Sequence, residues 1–181
     1  MTLSPRDLLE EYDLARAYTD GLYRDLPDEH VIWRPEPDSS AIGWHLGHQG
    51  VVNHFMIRNL LAAEASLNPD LDRLFDSANP ERDRGDLPPI PAIAAYRDTI
   101  ADRTHSMVDN IVSGRVGAPE QLATVATGAL RAIVHHEYQH DCWIGEMRST
   151  LGHQAVPPPG STRVTEIDGY WVLATVPEHD G

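Results

Sequence analysis

The sequence has no lysine, one cysteine and no long apolar run. The single cysteine, Cys142, excludes an intrachain disulfide framework and a cysteine-rich zinc site. Apolar stretches of roughly 18 residues or more are missing, so we expect no transmembrane helix and no membrane partner. The first residues lack the basic and then apolar pattern of a secretory signal, and we therefore expect a cytoplasmic protein.

Positive charge is also scarce. The chain has 28 acidic side chains against 14 basic ones, all of them arginine, and a formal net charge of −14. Such a charge argues against binding nucleic acid or an anionic membrane through bulk electrostatics. Its 181 residues are the usual size of one domain with a sizeable core.

Helical periodicity dominates the chain up to residue 152. Apolar residues recur every three or four positions in four stretches, and each predicts a helix: residues 5–26, 40–66, 91–112 and 119–152. Between the second and third of them lies a long polar loop with a possible short turn near residues 71–75, which suits a crossover or a lid. The pattern predicts an all-α bundle over residues 1–156.

A short β-rich tail follows the last predicted helix. Residues 163–167 and 170–176 favour strands, and they flank Asp168-Gly169, a pair typical of type I′ hairpin turns. A two-stranded hairpin is too small to be stable alone, so we expect it to lie on the bundle or on a second subunit. We treat residues 157–181 as a proline-rich linker and hairpin appended to the same domain.

The segment His136-Glu137-Tyr138-Gln139-His140 carries the main chemical signal. Side chains four apart on a helix lie about 40° apart around its axis, so His136 and His140 share one face. That face continues an apolar stripe, which turns both imidazoles toward the core, where unpartnered polar groups are costly. Two core histidines bonded to carbonyls would explain the pair, but a metal ion would explain it as well.

His48 is our candidate for a third ligand. On the second predicted helix it shares a face with Trp44, Val51, Val52 and Phe55, and it should therefore point inward. Three neutral imidazoles with open coordination positions are typical of a catalytic site. The identity of the ion stays open, because such a donor set suits zinc, nickel, iron and manganese.

These two histidine motifs resemble those of the DinB/YfiT-like superfamily of four-helix bundles. Trp44-His-Leu-Gly-His48 with His136-Glu-Tyr-Gln-His140 is similar to the DinB-like domain of ergothioneine-type sulfoxide synthases, although this chain lacks their large second domain. The resemblance implies a four-helix bundle with one long crossover, one divalent metal ion held by His48, His136 and His140, and frequently a homodimer. The superfamily includes thiol S-transferases that use bacillithiol, mycothiol or glutathione, and a mycothiol-linked isomerase.

The resemblance implies a metal-dependent transferase that joins a low-molecular-weight, mycothiol-like thiol to a small electrophile. A divalent ion with an open position can hold a thiol as thiolate at neutral pH, which supplies a nucleophile without a protein cysteine. Two alternatives stay open. The first is a non-haem iron oxygenase related to the sulfoxide synthases, and the second is a non-catalytic metal-binding stress protein.

Residues beside the proposed ligands have plainer interpretations. Glu137 points about 100° away from His136, which favours an exposed carboxylate, while Glu137 or Asp141 could orient ring N–H groups. His45 and His135 should be outer-sphere or surface histidines.

A zincin protease would use Glu137 as its base and need another ligand downstream. Glu146 lies off the face of His140, so we disfavour that reading. Cys142 should pack rather than ligate, and four aromatic residues should belong to the core: Trp33, Trp44, Trp143 and Tyr138.

Overall fold

The computed structural model describes residues 3–61, 64–79 and 86–174. Within these residues, helices precede one antiparallel hairpin. The helices are α1 (Pro5–Tyr23), α2 (Asp28–Val31), α3 (Ile42–Leu61), α4 (Pro69–Leu74), α5 (Ile90–Val112) and α6 (Pro119–Thr150), and the strands are β1 (Val164–Ile167) and β2 (Tyr170–Leu173). None of the described helices combines the length and the apolar surface needed to cross a bilayer.

The four long helices α1, α3, α5 and α6 form the bundle. Helix α6 packs against α1, α3 and α5, and α3 also packs against α5. The buried apolar side chains fall into two clusters, one around Tyr138 and Leu130 and one around Ile144 and Phe75. The predicted helical bundle with a small C-terminal hairpin is confirmed.

The helices differ from the prediction at several of their ends and by one additional helix. Helix α1 ends at Tyr23 rather than residue 26, and the connector contains a helix that the sequence analysis missed, α2. It begins after Pro27 with two acidic residues in its first turn, where the helix dipole favours them. The second long helix, predicted over 40–66, spans Ile42–Leu61, and residues 64–66 are not helical. Residues 62 and 63 lie outside the described residues.

The hairpin lies on the bundle of its own chain. Val164 pairs with Leu173 and Ile167 with Tyr170, so Asp168 and Gly169 form the turn, both with positive φ. The predicted turn is confirmed. Strand β2 was expected to reach residue 176, but it ends at Leu173, and residues 175 and 176 lie outside the described residues.

Polar contacts attach the hairpin to two different helices. The Leu173 N–H donates to Nε2 of His135 on α6 at 3.3 Å. Arg163 reaches α1, where it pairs with Asp7 at 3.3 Å and with the buried Glu11 at 3.1 Å. The hairpin therefore connects the first and last helices of the bundle.

Candidate metal centre

The bundle brings together the three histidines that the sequence analysis selected. His48 lies on α3, and His136 and His140 lie one turn apart on α6. One candidate ligand atom from each lies within 4.8 Å of the other two. His48 and His140 are buried and His136 is half-buried. Because α3 and α6 are in direct contact, a residue near the start of one helix meets residues past the middle of the other.

The His48 ring has a defined orientation. Nδ1 of His48 donates a hydrogen bond to the carbonyl oxygen of Phe75 at 2.7 Å, so we assign Nε2 as the nitrogen that would bind a metal ion. The His48 ring also stacks on Trp44, with centroids 4.6 Å apart and planes 12° from parallel. Phe75 can approach α3 this closely because Gly47 has no side chain, and a Cβ there would overlap the Phe75 ring.

The geometry and protonation of this cluster fit a divalent metal ion. Nε2 of His136 and Nε2 of His140 are 3.1 Å apart. Two nitrogens that each lie about 2.0–2.1 Å from one ion are separated by about 3 Å. The pKa of His136 is lowered to about 4, mainly by burial and in addition by the neighbouring His48 and Arg97. The pKa of His140 is also lowered well below its usual value, mainly by burial and in addition by the neighbouring His136. Both rings are therefore neutral near pH 7, as ligands must be.

The cluster faces an open cavity of about 500 Å³. Two tryptophans expected in the core contribute to its walls: Trp44, which is also buried, and the half-buried Trp143. Tyr138, in contrast, is a fully buried core residue as predicted, and Trp33 packs against the second apolar cluster. The remaining lining residues are Pro35, Ser39, Ser40, His45, Ser77, Gln139, Glu146 and Met147.

The expectation that Glu137 is exposed is wrong. Its side chain is 2% exposed and accepts a hydrogen bond from Nη2 of Arg97 on α5 at 3.1 Å. Nη1 of Arg97 donates to Oε1 of Gln49 at 2.7 Å and to the Leu46 carbonyl at 3.1 Å. A buried carboxylate needs such a partner, and the partner comes from a different helix.

Asp141 belongs to the same buried polar layer. Its Oδ1 accepts from Thr19 on α1 at 2.8 Å and from Nε2 of Gln49 at 3.1 Å. Its Oδ2 has no hydrogen-bond partner among the described residues. Burial raises the pKa of Asp141 well above its usual value, and the nearby Glu137 raises it further. We define the polar layer as Thr19, Gln49, Arg97, Glu137 and Asp141, which come from all four long helices.

The ring N–H groups are not oriented by the residues proposed for that task. Glu137 and Asp141 bond to other members of the polar layer. Phe75 orients His48 through its carbonyl, and Nδ1 of His45 lies 2.8 Å from Nδ1 of His140. A backbone carbonyl has no signature in a sequence, so the contact from Phe75 could not be found there.

The other neighbours behave largely as expected. Cys142 is half-buried and does not belong to the histidine cluster. Glu146 is exposed on the cavity wall and is likewise outside the cluster, which removes the zincin arrangement. His135 is exposed and turned toward the hairpin, whereas His45 is buried and lies beside His140.

Comparison with protein families supports the resemblance seen in the two motifs. A family model described as the DinB superfamily matches residues 11–144, a range that contains all three clustered histidines. A comparison with curated proteins finds no match. The match covers most of the chain, and the helical bundle agrees with it. The chain therefore belongs to the DinB superfamily.

Proposed function

We propose that this protein is a metal-dependent enzyme that transfers a low-molecular-weight thiol to a small electrophile. The observation that carries the proposal is the convergence of His48, His136 and His140 on an open cavity. Three imidazole nitrogens leave coordination positions for a substrate atom, which distinguishes a catalytic from a closed structural site.

The residues that line the cavity favour a reaction in which the nucleophile is the thiol substrate and not a side chain of the protein. The chain has no lysine, and Cys142 is not among the described lining residues. A divalent ion bound there would lower the pKa of an incoming thiol and so supply the nucleophile. The sulfur forms a bond to the electrophilic carbon, the leaving group departs with its electron pair, and the thiol proton passes to water.

Two kinds of surface are available for the two substrates. Ser39 and Gln139 offer hydrogen-bonding groups to the polar part of a thiol. Trp143 and Met147 offer an apolar wall for the electrophile, which excludes water from the reacting atoms.

Metal analysis tests the ligand assignment. We expect purified protein reconstituted with zinc, nickel or ferrous iron to hold one ion per chain. His136→Ala should lose that ion and keep its helical circular dichroism. His135→Ala is the matched control, because it removes the adjacent but exposed imidazole. Full metal content in His136→Ala would show that the assignment is wrong.

A substrate screen then tests the reaction. We expect glutathione, cysteine or N-acetylcysteine to be joined to a haloaromatic or bimane electrophile by the metal-loaded protein and not by His136→Ala. Consumption of O₂ that depends on iron and a thiol would instead favour the oxygenase alternative. Stoichiometric metal without turnover in either assay would favour the non-catalytic alternative.

A further inference from the structure

His45 lies beside the metal centre and has no role in the proposed reaction. It is one turn before His48 on α3, 8% exposed, and it contributes to the cavity wall. Its Nδ1 lies 2.8 Å from Nδ1 of His140, and the two ring centroids are 5.0 Å apart. Two nitrogens at that distance form a hydrogen bond only when one of them carries the proton.

We propose that His45 is a positioning residue that accepts a hydrogen bond from the Nδ1–H of His140. A neutral imidazole carries one proton, so holding it on Nδ1 leaves a lone pair on Nε2 of His140. That Nε2 is the atom 3.1 Å from Nε2 of His136. His45 thereby selects the tautomer of His140 that can bind an ion. This inference rests on the metal site of the proposed function.

The same bond fixes the direction of a short chain of imidazoles. In the metal-free protein the Nε2–H of His136 donates to Nε2 of His140, whose Nδ1–H donates to Nδ1 of His45. The reverse order would put a proton on the very nitrogen of His140 that must face the ion. The tautomer of His48 is already determined, because the Phe75 carbonyl can only accept a hydrogen bond and Nδ1 of His48 must therefore carry the proton.

A neutral acceptor at this position also has a chemical consequence. Carboxylates commonly fill the corresponding place behind a ligating histidine and make the ligand more basic. Here Glu137 and Asp141 are engaged in the polar layer, and the partner of His140 is an imidazole ring. An ion held by these residues would keep more of its positive charge than it would with a carboxylate behind His140, and would favour the thiolate form of a thiol more strongly.

Two substitutions separate hydrogen bonding from packing. His45→Asn retains an acceptor, because Oδ1 of asparagine can occupy the position of Nδ1 of histidine, whereas His45→Leu retains apolar bulk without an acceptor. We expect zinc affinity, measured by competition with a chromophoric chelator, to fall about 10- to 100-fold in His45→Leu and to stay within about threefold in His45→Asn. His135→Leu is the control and should bind as the parent protein does.

The opposite order of affinities would overturn the proposal, because it would show that His45 acts through packing. Equal affinities in both variants would overturn it as well. The second measurement is the long-range ¹H–¹⁵N spectrum of the metal-free parent protein, which should show His140 protonated at Nδ1 and His45 unprotonated there. A proton on Nε2 of His140 would contradict the assignment even if the protein proved to have no transferase activity, so the two proposals fail separately.

Discussion

Replacing Arg97 by methionine should destabilise the protein severely, because it leaves the buried Glu137 carboxylate without its charged partner. Arg97 is 3% exposed, its partner Glu137 is 2% exposed, and the pair is closed by a 3.1 Å contact. Removing one member of a buried ion pair typically costs about 3–5 kcal/mol, a large part of the roughly 5–15 kcal/mol that stabilises a domain. The substitution also removes donors from the Gln49 and Leu46 oxygens.

The assay is urea unfolding followed by circular dichroism. With a slope near 2 kcal/mol per molar urea, a loss of about 4 kcal/mol lowers the midpoint by about 2 M. The double variant Arg97→Met/Glu137→Gln removes the stranded charge and should regain a large part of that loss. The two changes should therefore be coupled by about 1–3 kcal/mol in a double-mutant cycle.

Two results would refute this reasoning. A loss below about 1 kcal/mol in Arg97→Met would mean that Glu137 finds another partner or solvent. A double variant no more stable than Arg97→Met would mean that the pair contributes through the shape of the arginine side chain rather than through its charge. In either case the polar layer would not be the feature that holds α5 against α6.

Two further predictions concern the histidine cluster. Gly47→Ala should lower the free energy of unfolding by about 1–3 kcal/mol and weaken metal binding, because the new Cβ displaces Phe75 and its contact to His48. The control is Gly128→Ala, where a Cβ meets nothing, and it should raise the free energy of unfolding by about 0.5–1 kcal/mol. Equal effects of the two substitutions would contradict this explanation. The metal-free protein should lose stability as pH falls from about 6.5 toward 4, since the unfolded chain binds a proton at His136 before the folded chain does. One such group contributes up to about 1.4 kcal/mol per pH unit to the slope of the unfolding free energy against pH. His136→Ala should therefore reduce this slope. An unchanged slope would contradict a buried, neutral His136 ring.

The sequence predicted the elements whose signals are local. The four-residue spacing of His136 and His140 is a signal within one helical turn. The inward position of His48 is also as predicted, although Phe55, which was expected on the same face, is exposed. The Asp168-Gly169 turn is a two-residue signal, and the structure has it as predicted.

The interactions that the sequence did not predict join distant residues. Glu137 was assigned to the surface because it points away from the face of His136, and its partner Arg97, 40 residues away on another helix, leaves no local signal. The contact between His45 and His140 spans 95 residues, and nothing in either motif specifies which ring approaches which. Charged residues are usually exposed, so a single sequence favours the surface unless the partner is known.

The stacking of Trp44 on His48 gives the protein a built-in optical reporter. The Trp44 indole lies 4.6 Å from the ring of a candidate ligand, so its fluorescence should depend on which ion is bound at the centre. Open-shell ions such as nickel and iron quench nearby indole emission, whereas closed-shell zinc does not. The fluorescence of the unlabelled chain can therefore distinguish the ions that compete for the same three nitrogens. Trp143, whose ring centroid lies 4.9 Å from that of His140, reports on the same centre, and the variants Trp44→Phe and Trp143→Phe separate the two contributions.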